Sequence, residues 1–290
     1  MSLPPRCKGF VPLAACGLAL LLATVLAGLP LGVALPLEPR ALAAAFAGGE
    51  ANFAGRSLIV GVPWLPPPET PDGRLYMEEG FEIDLATELA ARLSAELRLV
   101  RVAPDAAREA LDAGRVDLVL ARVGADDPLR THAVVRESGF ASGLSVAMRT
   151  DRPLASWEAL KGRVVCVSEA NLSGQRLAAR LGAQVQLWRA PAVALMHMRT
   201  GDCDAALHDR ALLDPLLGRR SWEKFSATLP PVESSTLVIA TAPGRGDLAR
   251  AVQRAMAALG TSDRWLQRRE KWASIVSFEV YRDQVAADCH

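Results

Sequence analysis

Apolar residues from position 57 onward alternate between two rhythms, short continuous runs and helical stripes. Residues 57–62 form a compact apolar run with Leu58, Ile59, Val60 and Val62, and a proline-rich loop follows over 63–71. Such a run bounded by turn residues predicts a buried strand. Over 83–93 the apolar positions Ile83, Leu85, Ala86, Leu89, Ala90 and Leu93 recur at helical spacing, with Asp84, Glu88 and Arg92 between them, which predicts an amphipathic helix. A strand over 96–102, a helix over 104–113 and a strand over 116–121 come next. This β-α-β-α-β order predicts an α/β unit, a parallel sheet with helices on its faces.

The cycle then restarts. A strand is predicted over 144–148, a short capped helix over 156–160, and strands over 164–168, 184–188 and 205–207, with helices over 173–181 and 190–200 between the later strands. Two more helices, 247–258 and 262–273, close the pattern. Two successive sets of similar length predict two similar lobes. Neither low-complexity sequence nor a short repeat interrupts them.

The N-terminus bears on compartment. Arg6 and Lys8 precede an apolar stretch from Phe10 to Leu37, broken only by glycines, prolines and Thr24, and small residues follow over 41–48. A basic start, an apolar run and a small-residue exit predict a secretory signal cleaved between Ala43 and Ala47. The run also exceeds the roughly 20 residues that span a bilayer, so a retained membrane anchor is the alternative. Leu13-Ala14-Ala15-Cys16 has the look of a lipid-attachment site, but strongly apolar sequence continues beyond it, which a lipoprotein would not need.

Composition narrows the function classes. The 33 basic and 32 acidic residues give a net charge of +1, and no Lys/Arg-rich run interleaves with the six tryptophans, so nucleic acid is not an expected partner. The four histidines are isolated and the five cysteines contain no C-x-x-C, so neither a metal nor a cofactor is expected. Loss of the signal would leave Cys166, Cys203 and Cys289, of which Cys166 and Cys203 are the pair available for a disulfide within one folded unit. Sequence alone leaves their pairing open. Cys289 and His290 are expected in a frayed tail.

The order of local motifs resembles bacterial extracellular solute-binding proteins of family 3, the amino-acid-type receptors of ABC importers. Leu58-Ile59-Val60-Gly61-Val62 opens the match, with Pro66-Pro67 and Asp72-Gly73 after it. Gly80-Phe81-Glu82-Ile83-Asp84-Leu85-Ala86 matches a G-F-x-x-D-L-A helix entry, and Leu111 to Leu118 matches L-x-x-G-x-x-D. Leu160 to Val167 resembles L-K-G-x-x-V-x-V, and Gly201 to Asp209 resembles G-x-x-D-A-x-x-x-D. The resemblance covers 58–272. It implies a two-lobed periplasmic-binding-protein fold of type II, each lobe a mostly parallel sheet flanked by helices, joined by two hinge strands. The implied boundaries are 1–47 for the signal peptide or anchor, 56–143 with 238–282 for lobe 1, 144–237 for lobe 2, and 283–290 for a tail. Both C-terminal helices are then expected on lobe 1.

The resemblance also implies a ligand site in the interlobe cleft. Arg130 stands where the family clamps a ligand carboxylate, and an Arg fork suits that task. Asp209 is placed like the acid that pairs with a ligand amine, or else it is a helix cap. Asn171 and Ser173 occupy the turn whose donors meet a carboxylate at a helix N-terminus, and plain capping is the alternative. Trp64 is the candidate for stacking on the ligand, or packs over its own proline-rich loop. Several residues depart from the family pattern. Asp127 replaces a Thr beside the expected clamp, Pro68 replaces an aromatic, Arg122 replaces a small cleft-lining residue, and F-S-x-P-Y is reduced to Glu137-Ser138-Gly139-Phe140-Ala141.

Three functions are therefore weighed. The first is a monomeric, periplasmic, non-enzymatic receptor that passes a small polar solute to an ABC permease. The second is an accessory subunit of a periplasmic quinoprotein dehydrogenase. The third is a dehydratase-type enzyme on the same scaffold, for which Glu169 and His208 are the available acid and base.

Overall fold

In the computed structural model, β1 (Ser57–Val62) is buried over most of its length because parallel strands flank it on both sides, β2 (Glu96–Arg101) and β3 (Leu118–Val123). Residues 53–66, 75–77 and 80–284 are described. The expected signal or anchor, Pro68, Asp72-Gly73, Cys289 and His290 lie outside them. The crossovers of the first lobe are α1 (Glu82–Arg92) and α2 (Ala107–Asp112), the latter entered through a 3-10 turn at Pro104–Ala106. A short α3 (Leu129–His132) then leads into β4 (Val134–Ala147).

The second lobe repeats the scheme. After a 3-10 turn (Glu158–Leu160), β5 (Val164–Ser168) pairs in parallel with β6 (Gln184–Trp188) and β7 (Ala205–Asp209). Its crossovers are α4 (Leu172–Arg180) and α5 (Pro191–Thr200). Next come α6 (Arg210–Leu217), the 3-10 segment Arg220–Phe225 and β8 (Val232–Thr241). The chain ends with α7 (Gly246–Leu259) and α8 (Ser262–Asp283). The sheet order is β2-β1-β3-β8-β4-β7-β5-β6, so the antiparallel pair β4/β8 joins two parallel halves.

β4 and β8 run through both halves. The last part of β8 pairs with β3 from Thr236 to Thr241, and the last part of β4 pairs with β7 from Leu144 to Ala147. Between them the β4/β8 register shifts twice, at Glu137/Ala141 and at Ser142/Leu144. Bulges of this kind bend and twist a strand pair. Gly139 sits in the first bulge at φ +87°, and a Cβ there would lie 2.4 Å from the Gly260 carbonyl oxygen. Only glycine avoids both the left-handed penalty and that collision.

Of the two C-terminal helices, α8 differs from expectation. α7 packs on α1 of the first lobe. α8 begins on that lobe, where Trp265 packs on Phe81 and Phe140 and donates from Nε1 to the Ser138 carbonyl at 2.8 Å. It does not end at 273 but continues to Asp283, lying on α5 and α6 of the second lobe. Trp272, Val276 and Val280 are buried there at spacing of four, one stripe of a helix. Trp272 packs on His208 of β7, and Ser277 Oγ accepts from Trp222 Nε1 at 2.9 Å. That second apolar stripe is why α8 spans both lobes rather than staying on lobe 1.

Cys166 of β5 and Cys203, just before β7, form a disulfide with their Cα atoms 5.8 Å apart. Among the described residues no helix is long and apolar enough to cross a membrane, and no side-chain cluster could hold a metal ion.

Candidate functional site

A cavity of about 730 Å³ lies where the carboxyl ends of the strands of both lobes converge. Such crevices are where open α/β sheets bind ligands. The first lobe lines it with Trp64, Glu82, Arg122 and Asp127, and the second with Asn171, Ser173, Arg176 and Asp209. Glu233 to Ser235 of β8 contribute the back, and Ile275 and Glu279 of α8 contribute one wall. Among its described lining residues are six carboxylates and two cations, Arg122 and Arg176, a lining that favours a positively charged guest.

Arg122 spans the cavity. β3 alternates its side chains between faces, and Arg122 points to the cleft. Its Nη2 lies 2.6 Å from Asp209 Oδ2, its Nη1 3.4 Å from Asp209 Oδ1, and its Nε 3.2 Å from Glu82 Oε1. All three side chains are largely buried, at 16%, 11% and 12% exposure for Arg122, Asp209 and Glu82. Burial disfavours the guanidinium charge, yet the Asp209 and Glu82 carboxylates outweigh it and hold its pKa above the ordinary Arg value. The Phe140 ring sits 4.5 Å beneath the guanidinium carbon. Glu82 and Arg122 belong to the first lobe and Asp209 to the second, so this ion pair bridges the cleft.

Of the residues expected from sequence, the cavity brings together Asp209, Trp64, Asn171, Ser173 and Asp127. Asp209 is the residue before α6, but its side chain makes no capping hydrogen bond; Arg122 holds it instead. Asn171 caps α4, accepting at Oδ1 from the Gly174 N–H at 2.8 Å. Ser173 Oγ accepts from Arg176 Nη2 at 3.1 Å, and Asp127 Oδ1 accepts from the Leu129 N–H at 2.9 Å. Arg130 is not among the lining residues. Its Nε donates to the Gly124 carbonyl at 2.8 Å, its Nη1 to Glu137 at 2.6 Å and its Nη2 to Thr236 at 2.5 Å. Glu169 is exposed, His208 is buried against Trp272, and neither lines the cavity.

Three charged residues of the site are not legible as such from sequence. Arg122 stands out only as a departure from a family pattern, and its acid partner lies 87 positions away. Glu82 reads as an ordinary first-turn helix acid, which it also is, since its Oε2 accepts from the Phe81 N–H at 2.9 Å. Glu279 lies beyond the expected end of the last helix. It is 5% exposed, its Oε1 accepts from the Met77 N–H at 2.9 Å, and its Oε2 has no hydrogen-bond partner among the described residues. Burial pushes its carboxyl up, only partly opposed by the Met77 N–H and the charge of Arg282.

The model of bacterial extracellular solute-binding proteins, family 3, matches residues 58–275. The chain belongs to this family. Family 3 proteins are extracytoplasmic binders of amino-acid type. The family 3 L-cystine-binding protein TcyJ of Escherichia coli strain K12 is 26% identical over 223 residues, covering 74% of this chain and 82% of TcyJ. Among solved structures, an ancestral cationic amino acid solute-binding protein, AncCDT-1, superposes with a TM-score of 0.51 at 21% identity, covering 74% of this chain and 95% of that one. The GluR0 ligand-binding core in complex with L-glutamate gives a TM-score of 0.52 at 18% identity, covering 76% and 99%. At these identities the two structures establish the shared two-lobed family 3 fold.

Proposed function

We propose that this family 3 protein captures a small solute of amino-acid type, one carrying both an ammonium group and a carboxylate, in the cleft between its lobes. After export it acts as a monomer in the periplasm, delivers the solute to an ABC permease and performs no catalysis. In this assignment lobe 1 comprises 56–143 with 238–282, the later turns of α8 lying on lobe 2, and lobe 2 comprises 144–237. The supporting observation is a cavity of about 730 Å³ to which opposite lobes contribute opposite charges, Arg122 and Asp209. A zwitterion fits such a pair, because each end finds a charge-assisted partner on a different lobe. The excess of carboxylates in the lining favours solutes with a further positive charge. That the curated relative TcyJ is named for L-cystine supports the solute class.

A second function is favoured by one specific observation. Arg122 already satisfies Asp209, and Arg130 is engaged with Glu137, Gly124 and Thr236. A cleft whose charges satisfy each other suits an accessory subunit of a periplasmic dehydrogenase that transports nothing. An enzyme on this scaffold has less support, because Glu169 and His208 stand outside the cavity, although AncCDT-1 is described as a precursor of cyclohexadienyl dehydratase.

A thermal-shift screen against the L-amino acids, L-cystine, polyamines, organic acids and small alcohols decides between them. A ligand selective for the native state stabilises by about 2.7 kcal/mol at a hundredfold excess over its Kd. A shift with amino acids is expected. No shift with any compound, together with co-purification of a quinoprotein dehydrogenase, would establish the accessory role instead.

A further inference from the structure

Two arginines compete for the role of anion receptor, and they differ in what holds them. Arg130 has all three nitrogens engaged, two of them by the Gly124 carbonyl and the Thr236 hydroxyl, and it does not line the cavity. Arg122 lines the cavity, and among the described residues its hydrogen bonds go to carboxylates, those of Glu82 and Asp209. A guanidinium has five N–H donors, so those three contacts leave two N–H groups for a further acceptor. The positions of the two acids matter more. Glu82 is on α1 of the same lobe as Arg122, whereas Asp209 ends β7 of the other lobe. Parting the lobes therefore breaks the Arg122–Asp209 pair and leaves Glu82 holding the guanidinium in place, with Nη1 and Nη2 facing the opened cleft. Asp209 is bared at the same moment. The two ends of a zwitterion can then enter between them, the carboxylate on Arg122 and the ammonium on Asp209.

We infer that Arg122, rather than Arg130, receives the solute's carboxylate, and that in the empty protein the same guanidinium latches the cleft shut on Asp209. The inference rests on the receptor function proposed above. Arg122 itself keeps two ion pairs in both states, while solute binding replaces the internal Arg122–Asp209 pair by two pairs to the solute. A solute lacking a carboxylate gains only the Asp209 contact and must still displace Arg122. Discrimination between an amino acid and its decarboxylated amine thus resides in one residue.

The test is calorimetric titration of the wild type, Arg122→Met, Arg122→Lys and Arg130→Met. The probes are L-arginine, L-lysine and L-cystine, each paired with its decarboxylated form: agmatine, cadaverine and cystamine. Arg122→Met is expected to weaken the bound amino acid about 100-fold, the scale of losing one partner of a buried charge pair. The matching amine should bind as tightly as to the wild type or tighter, since its competitor for Asp209 is gone. Arg130→Met should change both by less than about threefold, as expected of a group outside the contact. Should Arg122→Met fail to fold by circular dichroism, Arg122→Lys carries the comparison; a point charge cannot replace the fork, so a selective loss of about tenfold for the amino acid is expected. Selective loss in Arg130→Met with Arg122 variants unaffected overturns the inference and leaves the receptor standing. Failure of the wild type to bind any probe overturns the receptor function and this inference with it. Small-angle scattering without solute tests the latch: Arg122→Met should be more extended than the wild type, and equal dimensions overturn that half.

Discussion

Glu279 Oε1 accepts a hydrogen bond from the Met77 backbone N–H at 2.9 Å, tying the last helix to a segment that lines the cleft. The other oxygen of the same carboxylate is buried without a hydrogen-bond partner among the described residues. Its folded pKa is raised by burial, so the native state binds the proton more tightly than the unfolded chain does. For a raised carboxyl, the stabilising contribution is complete below the unfolded Glu value and is lost as pH rises through the folded one. The contribution of this one carboxyl should fall as pH increases above about 4.3, the ordinary Glu pKa. Glu279→Gln keeps the acceptor for Met77 and removes the titration. Urea unfolding across pH should show wild-type stability falling relative to the variant's as pH rises; a difference between the two that does not change with pH would refute it.

The Cys166–Cys203 bond closes a loop of sequence separation 37 between β5 and the entry to β7. Loop-closure entropy makes such a cross-link worth about 4 kcal/mol. The double variant Cys166→Ala/Cys203→Ala should lose about that much in denaturant unfolding, and a reductant should lower the wild-type Tm while leaving the variant's unchanged.

Gly139→Ala places a methyl group 2.4 Å from the Gly260 oxygen in a left-handed backbone. Strain and collision add, for an expected loss of more than about 2 kcal/mol. Gly114→Ala is the control. It has a similar φ of +64° but nothing within 4 Å of its added Cβ, so it should lose only about 1 kcal/mol.

Trp272→Ala removes a side chain that is 1% exposed from the contact between α8 and β7. Large-to-small changes of this kind cost about 3–5 kcal/mol. A loss below about 1 kcal/mol in urea unfolding would mean that α8 is not firmly held by the second lobe.

Much of the fold can be read locally. β1 and β5 are short apolar runs bounded by turns, and structure and expectation agree on them, and on the more exposed β6, to the residue, over 57–62, 164–168 and 184–188. The first half of β4 is not legible. Val134 to Phe140 mixes exposed and buried positions because its order comes from pairing with β8, about 100 residues later. β8 itself has exposed polar residues at its start, and Glu233 adopts φ +52°, which no apolar period encodes. The site follows the same division. Asn171 and Asp209 sit at helix entries that a sequence announces, whereas Arg122 acquires its role only when Asp209 is folded against it from the other lobe. The Trp272, Val276 and Val280 stripe was present in the sequence as a spacing of four, but the partners it meets on α5 and α6 were not.

α8 is fastened near its start through Trp265 and Arg268, which reaches Glu88 at 2.6 Å, and along its later turns through Trp272 and Ser277. Its anchorages thus sit on opposite sides of the β4/β8 crossing. Any swing of one lobe about those strands must slide or flex this helix, as a rod bolted to both leaves of a door must bend when the door turns. The outward side of the rod carries Phe278 and Tyr281, 62% and 81% exposed. An opening of the cleft would thereby move two aromatic rings on the outer surface of the molecule.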